Sequence, residues 1–180
     1  RNAMEHPQHV SRLVLLDTGL FTGEQRLTEA WTSFRDFVER TEDLPISKLV
    51  GGVCATPLSD EVLAAYDAPF PDAASKAGAR ALPLILPRRL DDQGAAEGRT
   101  ALTALEHTTM PKLLLWADGD PILPPELGGR LAQRINAPEP EIIPNASHFL
   151  QEDQGELIGK RIAQWLDETP IVPLGDEDWD

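Results

Sequence analysis

Short apolar runs and amphipathic repeats alternate along the two ends of the chain. Continuous apolar runs cover Leu13–Leu16 and residues 113–116, and a weaker run covers residues 141–144. The first two are closed by turn-forming Asp and Gly, which is typical of strands covered on both faces in a parallel sheet. Helical spacing follows the second run at residues 127–135 and the third at residues 157–166. Strand, helix, strand, helix predicts an α/β fold with parallel strands.

The stretch between the first two runs breaks this rhythm. Helical patterns over 29–40, 59–67 and 73–86, joined by connections rich in Pro, Gly and Asp, predict a helical insertion over residues 20–108. Three strands make a poor sheet, because both edges would expose apolar runs and unpaired backbone groups. We therefore expect the remaining strands to come from outside this sequence.

The two ends of the chain differ in character. The opening "RNAMEHP" predicts the last turns of a helix stopped by Pro7, which favours a chain cut from something longer. Met4 as a true start is the alternative. Residues 170–180 are Pro-containing and acidic, so they predict a loose tail.

Composition narrows the class of partner. The net charge of -14 and pI near 4.6 argue against nucleic acid and an anionic membrane surface, and favour a small or neutral substrate. A single cysteine, Cys54, favours a reducing compartment, and no apolar run approaches the roughly 20 residues that span a bilayer. We expect a cytoplasmic protein. The four histidines show no metal-binding spacing and no Gly-rich phosphate loop occurs, so neither metal nor cofactor is predicted.

Three polar residues follow the three predicted strands. Asp17, Asp120 and His148 come just after them, where the loops of an open α/β sheet converge on one crevice. A histidine held by a carboxylate at one ring nitrogen is a general base, and the two make up two-thirds of a catalytic triad. No G-x-S-x-G motif supplies the nucleophile. Ser147 adjoins His148 on an extended segment and points away from it, and Cys54 among small and apolar residues has the setting of an inert thiol.

Four segments resemble one family. "AAYDAPFPD" at 64–72, "KAGARALP" at 76–83, "LLLWADGDPILP" at 113–124 and "ASHFLQED" at 146–153 are similar to haloalkane dehalogenases of the α/β-hydrolase superfamily. The likeness covers only the second half of such an enzyme. It implies the C-terminal part of an α/β-hydrolase fold, divided into the end of a core helix and a core strand (1–19), a helical cap and its return to the core (20–108), the last core strands and helices (109–169) and the tail (170–180).

The resemblance also implies roles for the polar residues. His148 is expected to be the general base and Asp120 its acid. Asp17 is the rival acid, at a position where relatives commonly have asparagine. Family members use an aspartate nucleophile that forms an alkyl-enzyme ester, and its expected place is about eight residues before Arg1. The implied partners are a small halogenated substrate, water and the upstream half of the same enzyme.

A substrate pocket follows from the same comparison. The family's cap tryptophan, which holds the leaving halide through its indole N–H, falls on Phe34, and Trp31 lies one helical turn earlier. Phenylalanine has no N–H to donate. Two alternatives follow: Trp31 binds the halide instead, or the protein is a generic esterase or epoxide hydrolase that binds no halide. A truncated chain without catalysis is the third alternative. The other side chains expected to line an apolar pocket are Leu82, Pro83, Leu86, Ile122, Leu123 and Phe149.

Overall fold

The computed structural model describes residues 1–170. Three parallel strands form the sheet of this part of the chain. The strands are β1 (Leu13–Leu16), β2 (Lys112–Ala117) and β3 (Glu141–Ile143), in the order β1-β2-β3. Their register pairs Leu15 with Leu114 and Trp116 with Ile142. The α/β class and the parallel strand direction predicted from the sequence are confirmed.

Helices account for most of the remaining described residues. They are α1 (Asn2–Glu5), α2 (Glu29–Arg40), α3 (Ile46–Gly51), α4 (Asp60–Asp67), α5 (Ala77–Ile85), α6 (Ala95–His107), α7 (Pro125–Arg134) and α8 (Leu150–Glu168). A 3₁₀ turn over Pro7–His9 follows α1. Thr28 and Ser59 cap α2 and α4 by accepting a hydrogen bond from a first-turn N–H. Across residues 1–170, no helix combines the length and apolar composition that a membrane crossing requires.

The central strand β2 divides the core into two layers. All six of its residues are buried, because helices cover both faces of the sheet at this position. The α8 face contains Leu113, Leu115, Ile143, Leu150, Ile158 and Trp165. The α6 and α7 face contains Leu102, Leu114, Ala132 and Ile135. A third apolar cluster, around Val38 and Leu44, lies within the helical segment between β1 and β2.

Strand β1 differs from its prediction in burial. All four of its residues are only half-buried, although the continuous apolar run predicts cover on both faces. Among the described residues β1 pairs with β2 alone, so its other edge carries no neighbouring strand. Residues 171–180, which include nearly all of the predicted loose tail, lie outside the described residues.

Candidate active site

The carboxyl ends of the three strands bring the predicted polar residues to one edge of the sheet. Asp17 directly follows β1, Asp120 lies in the loop after β2, and His148 lies in the loop after β3. His148 Nδ1 lies 2.7 Å from Asp120 Oδ2, and the Asp120 side chain is fully buried while that of His148 is 25% exposed. The pair has the geometry of a base held by a carboxylate.

Backbone groups fix the Asp120 carboxylate and favour its charged form. Its Oδ1 accepts hydrogen bonds from the N–H of Ile122 at 2.7 Å and of Leu123 at 3.0 Å. Burial raises the pKa of Asp120, but the hydrogen bonds from His148, Leu123 and Ile122 outweigh burial and hold the pKa below its usual range. A charged Asp120 accepts the Nδ1–H of His148, so Nε2 carries the free lone pair. That nitrogen is the one available to take a proton.

Asp17 is a second carboxyl near Asp120, in a different setting. Its Oδ1 accepts a hydrogen bond from the N–H of Ala117 at 2.9 Å, and its Oδ2 is buried without a hydrogen-bond partner in the described residues. Burial raises the pKa of Asp17 to about 7, and the negative charge of Asp120 adds to the increase. Of the two aspartates, Asp120 is the one hydrogen-bonded to His148. That Asp120 rather than Asp17 acts as the catalytic acid stays a prediction.

The two nucleophile candidates inside the chain are bonded elsewhere. Ser147 Oγ lies 3.4 Å from the carbonyl oxygen of Gly119, and Cys54 Sγ lies 3.3 Å from that of Val50. Burial, reinforced by the charges of Asp153 and Glu152, raises the pKa of the Cys54 thiol, which disfavours the reactive thiolate. Within residues 1–170, neither side chain is hydrogen-bonded to His148.

The predicted pocket residues fall into three groups. Trp31, Ile122 and Leu123 line a cavity of about 770 Å³, together with Phe21 and residues of α7. Phe34 and Phe149 pack against the apolar cluster around Val38. Leu82 is 64% exposed, and Pro83 and Leu86 are half-buried. The described residues therefore bring together only part of the predicted pocket lining, and its role in substrate binding stays a prediction.

Trp31 is an aromatic residue in the lining of this cavity. The residue is 6% exposed, and its ring packs against Phe21 with centroids 5.7 Å apart. Its backbone N–H bonds to the Thr28 hydroxyl, whereas its indole N–H has no hydrogen-bond acceptor among residues 1–170. Within residues 1–170, no group of three or more His, Cys, Asp or Glu side chains is placed so that it could hold a metal ion.

Acidic residues at the start of α8 connect the loop that carries His148 to the helical segment between β1 and β2, a role that the sequence did not predict. Asp153 accepts hydrogen bonds from the backbone N–H groups of Ala55, Thr56 and Ser147 at 2.8 to 2.9 Å. Beside it, the Tyr66 hydroxyl donates to Glu152 at 2.6 Å. Two acidic residues in a first helical turn are a recognisable signal for N–H acceptors. Their partners in the helical segment, Ala55, Thr56 and Tyr66, lie 86 to 98 residues away in the chain.

Asp153→Asn is expected to lower the free energy of unfolding by about 1–3 kcal/mol at neutral pH, because charged hydrogen bonds to backbone N–H groups are lost. The bonds from Ala55, Thr56 and Ser147 outweigh the effect of burial and hold the pKa of Asp153 below its usual value of 3.8. The stabilisation is therefore present above pH 3.8 and is lost as the pH falls through the lower, folded-state pKa. Urea unfolding at several pH values measures it.

Asp167→Asn is the matched control for this substitution. It makes the same change at an exposed position of the same helix. Equal stability losses in the two variants at neutral pH would contradict the role of Asp153 as an acceptor for three backbone groups.

Comparison with curated proteins identifies haloalkane dehalogenases among the relatives of this chain. A haloalkane dehalogenase of Psychrobacter cryohalolentis is 33% identical over 174 residues, which are 94% of this chain and 57% of that protein. A haloalkane dehalogenase of Mycolicibacterium paratuberculosis is 36% identical over 167 residues, 92% of this chain and 55% of that protein. The chain thus spans little more than half the length of these curated relatives. No protein-family model matches it.

Solved structures give the same result. The tetrameric haloalkane dehalogenase DpaA of Paraglaciecola agarilytica superposes with a TM-score of 0.79 at 26% identity, covering 94% of this chain and 56% of that one. A structure of a putative ancestral haloalkane dehalogenase superposes with a TM-score of 0.71 at 25% identity, covering 93% of this chain and 63% of that one.

Proposed function

Because this chain is homologous to haloalkane dehalogenases over little more than half of their length, we propose that it supplies the base and the acid of an α/β hydrolase that cleaves carbon–halogen bonds. The observation that carries the proposal is the 2.7 Å hydrogen bond between His148 Nδ1 and the buried carboxylate of Asp120. A histidine oriented in this way activates water or a nucleophile at its other nitrogen.

The proposed reaction has two covalent steps. A carboxylate from the upstream half attacks the carbon that carries the halogen, the carbon–halogen bond breaks, and halide leaves as an alkyl-enzyme ester forms. His148 Nε2 then takes a proton from water, whose oxygen attacks the ester carbonyl. The alcohol departs with that proton, and the carboxylic acid left on the nucleophile releases the second proton of the water to solvent, which restores the carboxylate. Asp120 stabilises the imidazolium formed in the second step. The net products are alcohol and hydrogen halide.

The upstream half of the same enzyme is the partner that this function requires. The nucleophile candidates within the chain, Ser147 and Cys54, are bonded away from His148. Strand β1 is half-buried and pairs only with β2 among the described residues, which supports a further strand along its other edge. The single cysteine, Cys54, continues to favour a reducing, cytoplasmic compartment.

Trp31 is the residue that we propose to hold the leaving halide. It lines the cavity beside Ile122 and Leu123, and its indole N–H has no acceptor within residues 1–170. Phe34 has no N–H and packs into the Val38 cluster. The location of Phe34 keeps an esterase or epoxide hydrolase as the second candidate, because such enzymes need no halide donor at that position.

Trp31→Phe in the polypeptide encoded by the whole reading frame is expected to raise the dissociation constant of bromide by about tenfold or more, because a hydrogen bond to a charged group is lost. Product inhibition by sodium bromide measures the constant. Trp165→Phe, the same change in the α8 core, is the control and should leave bromide affinity unaltered. Equal affinity in the Trp31 variant and the wild type would place the halide donor elsewhere.

A substrate comparison on the same polypeptide separates the candidate functions. Bromide release from a bromoalkane supports the dehalogenase. Hydrolysis of a nitrophenyl ester without bromide release selects the generic hydrolase. Aggregation or concentration-dependent association of that polypeptide, with no activity in either assay, selects a truncated chain without catalysis.

A further inference from the structure

Asp17 is a buried carboxyl that the proposed reaction does not use. The residue is 8% exposed, and its backbone has a positive φ of 28°, a conformation that aspartate and asparagine tolerate better than most residues. Oδ1 is occupied by the N–H of Ala117, whereas Oδ2 is buried and receives no hydrogen from the described residues. A buried, charged oxygen without a donor is costly, so Asp17 needs an explanation.

Asp120 has one lone-pair site that none of its other hydrogen-bond donors occupies. A carboxylate provides about four lone-pair sites, and Asp120 uses three of them for the Nδ1–H of His148 and the N–H groups of Ile122 and Leu123. Asp17 is tied by the N–H of Ala117 to the end of β2, just before the loop that carries Asp120. Beyond the effect of burial, the charge and the hydrogen-bonding capacity of Asp120 raise the pKa of Asp17, so the two carboxyl groups are neighbours. Two charged carboxylates cannot hydrogen-bond to each other, since neither has a hydrogen to donate. A single proton placed between the two carboxyl groups allows a hydrogen bond from one to the other.

We propose that Asp17 is protonated in the folded chain and donates its hydrogen to Asp120, which makes it a positioning residue for the acid of His148. The proton belongs on Asp17 because Asp120 accepts hydrogen bonds from three other donors while Asp17 accepts only from Ala117. The titratable groups that face Asp17 are Asp120, from the loop after β2, and His148, from the loop after β3. The role of Asp17 in catalysis rests on the proposed function, whereas its protonation does not.

This arrangement predicts how Asp17→Asn behaves. The asparagine amide reproduces a protonated carboxyl, because its oxygen accepts from Ala117 and its NH₂ donates to Asp120. Asparagine does not reproduce an ionised carboxylate, which carries a negative charge and donates no hydrogen. The substitution also retains a residue type that tolerates a positive φ. Asparagine is therefore a conservative replacement under the proposal and a disruptive one without it.

The pH dependence of stability tests the proposal in the polypeptide encoded by the whole reading frame. The folded state binds the Asp17 proton more tightly than the unfolded state, whose usual pKa is 3.8. Wild type should therefore lose up to about a factor of ten in its folding equilibrium constant per pH unit, relative to Asp17→Asn, as the pH rises from 3.8 to about 7. Urea unfolding of both proteins across this range measures the difference.

A matched control variant separates the effect of Asp17 from that of any Asp→Asn change. Asp36→Asn, at an exposed position of α2, should show no such widening difference from wild type. A difference between wild type and Asp17→Asn that does not change with pH, or a variant less stable than wild type at alkaline pH, would overturn the proposal. Neither outcome depends on catalysis, so failure here is distinguishable from failure of the proposed function.

Infrared spectroscopy gives a second readout that holds even if the variant does not fold. Unsubstituted chain with ¹³C-labelled aspartate should show the C=O stretch of a buried protonated carboxyl below pH 7, and the band should fade as the pH rises through about 7. No such band in folded protein would overturn the proposal.

Discussion

His148→Ala is expected to lower steady-state bromide release by the complete polypeptide by about 10²–10⁴-fold, the contribution of a positioned general base. Nε2 of His148 is the only base in the proposed second step, whereas displacement of halide by a carboxylate needs no proton transfer. One equivalent of bromide should therefore be released in a rapid burst, after which turnover nearly stops. Rapid-quench measurement of bromide against enzyme concentration separates the burst from the steady state.

The matched control for this variant is His9→Ala, at an exposed position in the 3₁₀ turn before β1. Its steady-state rate should equal that of the wild type. Unimpaired turnover in His148→Ala would remove His148 from the mechanism. Loss of both the burst and the steady state would assign His148 a role in the displacement step as well.

Trp116→Ala is expected to lower the free energy of unfolding by about 3–5 kcal/mol, the usual cost of truncating a large buried aromatic side chain. Trp116 lies next to the carboxyl end of β2 and has no exposed surface. Its ring packs so closely on α7 that a Cβ added to Gly128 would lie 2.5 Å from it. A loss of this size is a large fraction of the 5–15 kcal/mol typical of domains, and urea unfolding measures it.

Trp116→Phe divides this loss into packing and hydrogen bonding. The indole N–H of Trp116 donates to the carbonyl oxygen of Leu123 at 2.7 Å, which ties down the loop that carries Asp120. Phenylalanine keeps most of the ring but loses this bond, so we expect a smaller loss of about 1–2 kcal/mol. Losses of equal size in the two variants would contradict the importance of ring packing against α7.

The strands and the main pair of the candidate site were predictable because short-range patterns determine them. Leu13–Leu16 and the run around Leu114 are apolar for most of a strand's length and end in turn residues. Parallel strands place their carboxyl ends at one edge, which is why Asp120 and His148 meet although they are 28 residues apart. The helical cover of the sheet followed from the same alternation.

The features that were missed depend on tertiary contacts. Helix α3 has six residues, too few for a repeat, and Gly98 weakens the pattern of α6 although its lack of a side chain permits close packing on the Phe21 backbone. The acceptor role of Asp153 depends on Ala55, nearly a hundred residues away. The burial of Asp17 likewise follows from β2 and its loop rather than from neighbours in sequence.

The most direct test of the central claim is the mass of the alkyl-enzyme. The claim is that His148 and Asp120 complete a hydrolase whose nucleophile comes from outside these 180 residues. Peptide mass mapping of the complete His148→Ala polypeptide after reaction with a bromoalkane should show one alkyl group, esterified to an aspartate upstream of Arg1. An alkyl group on a residue within the 180, or no alkylated peptide at all, would contradict the claim.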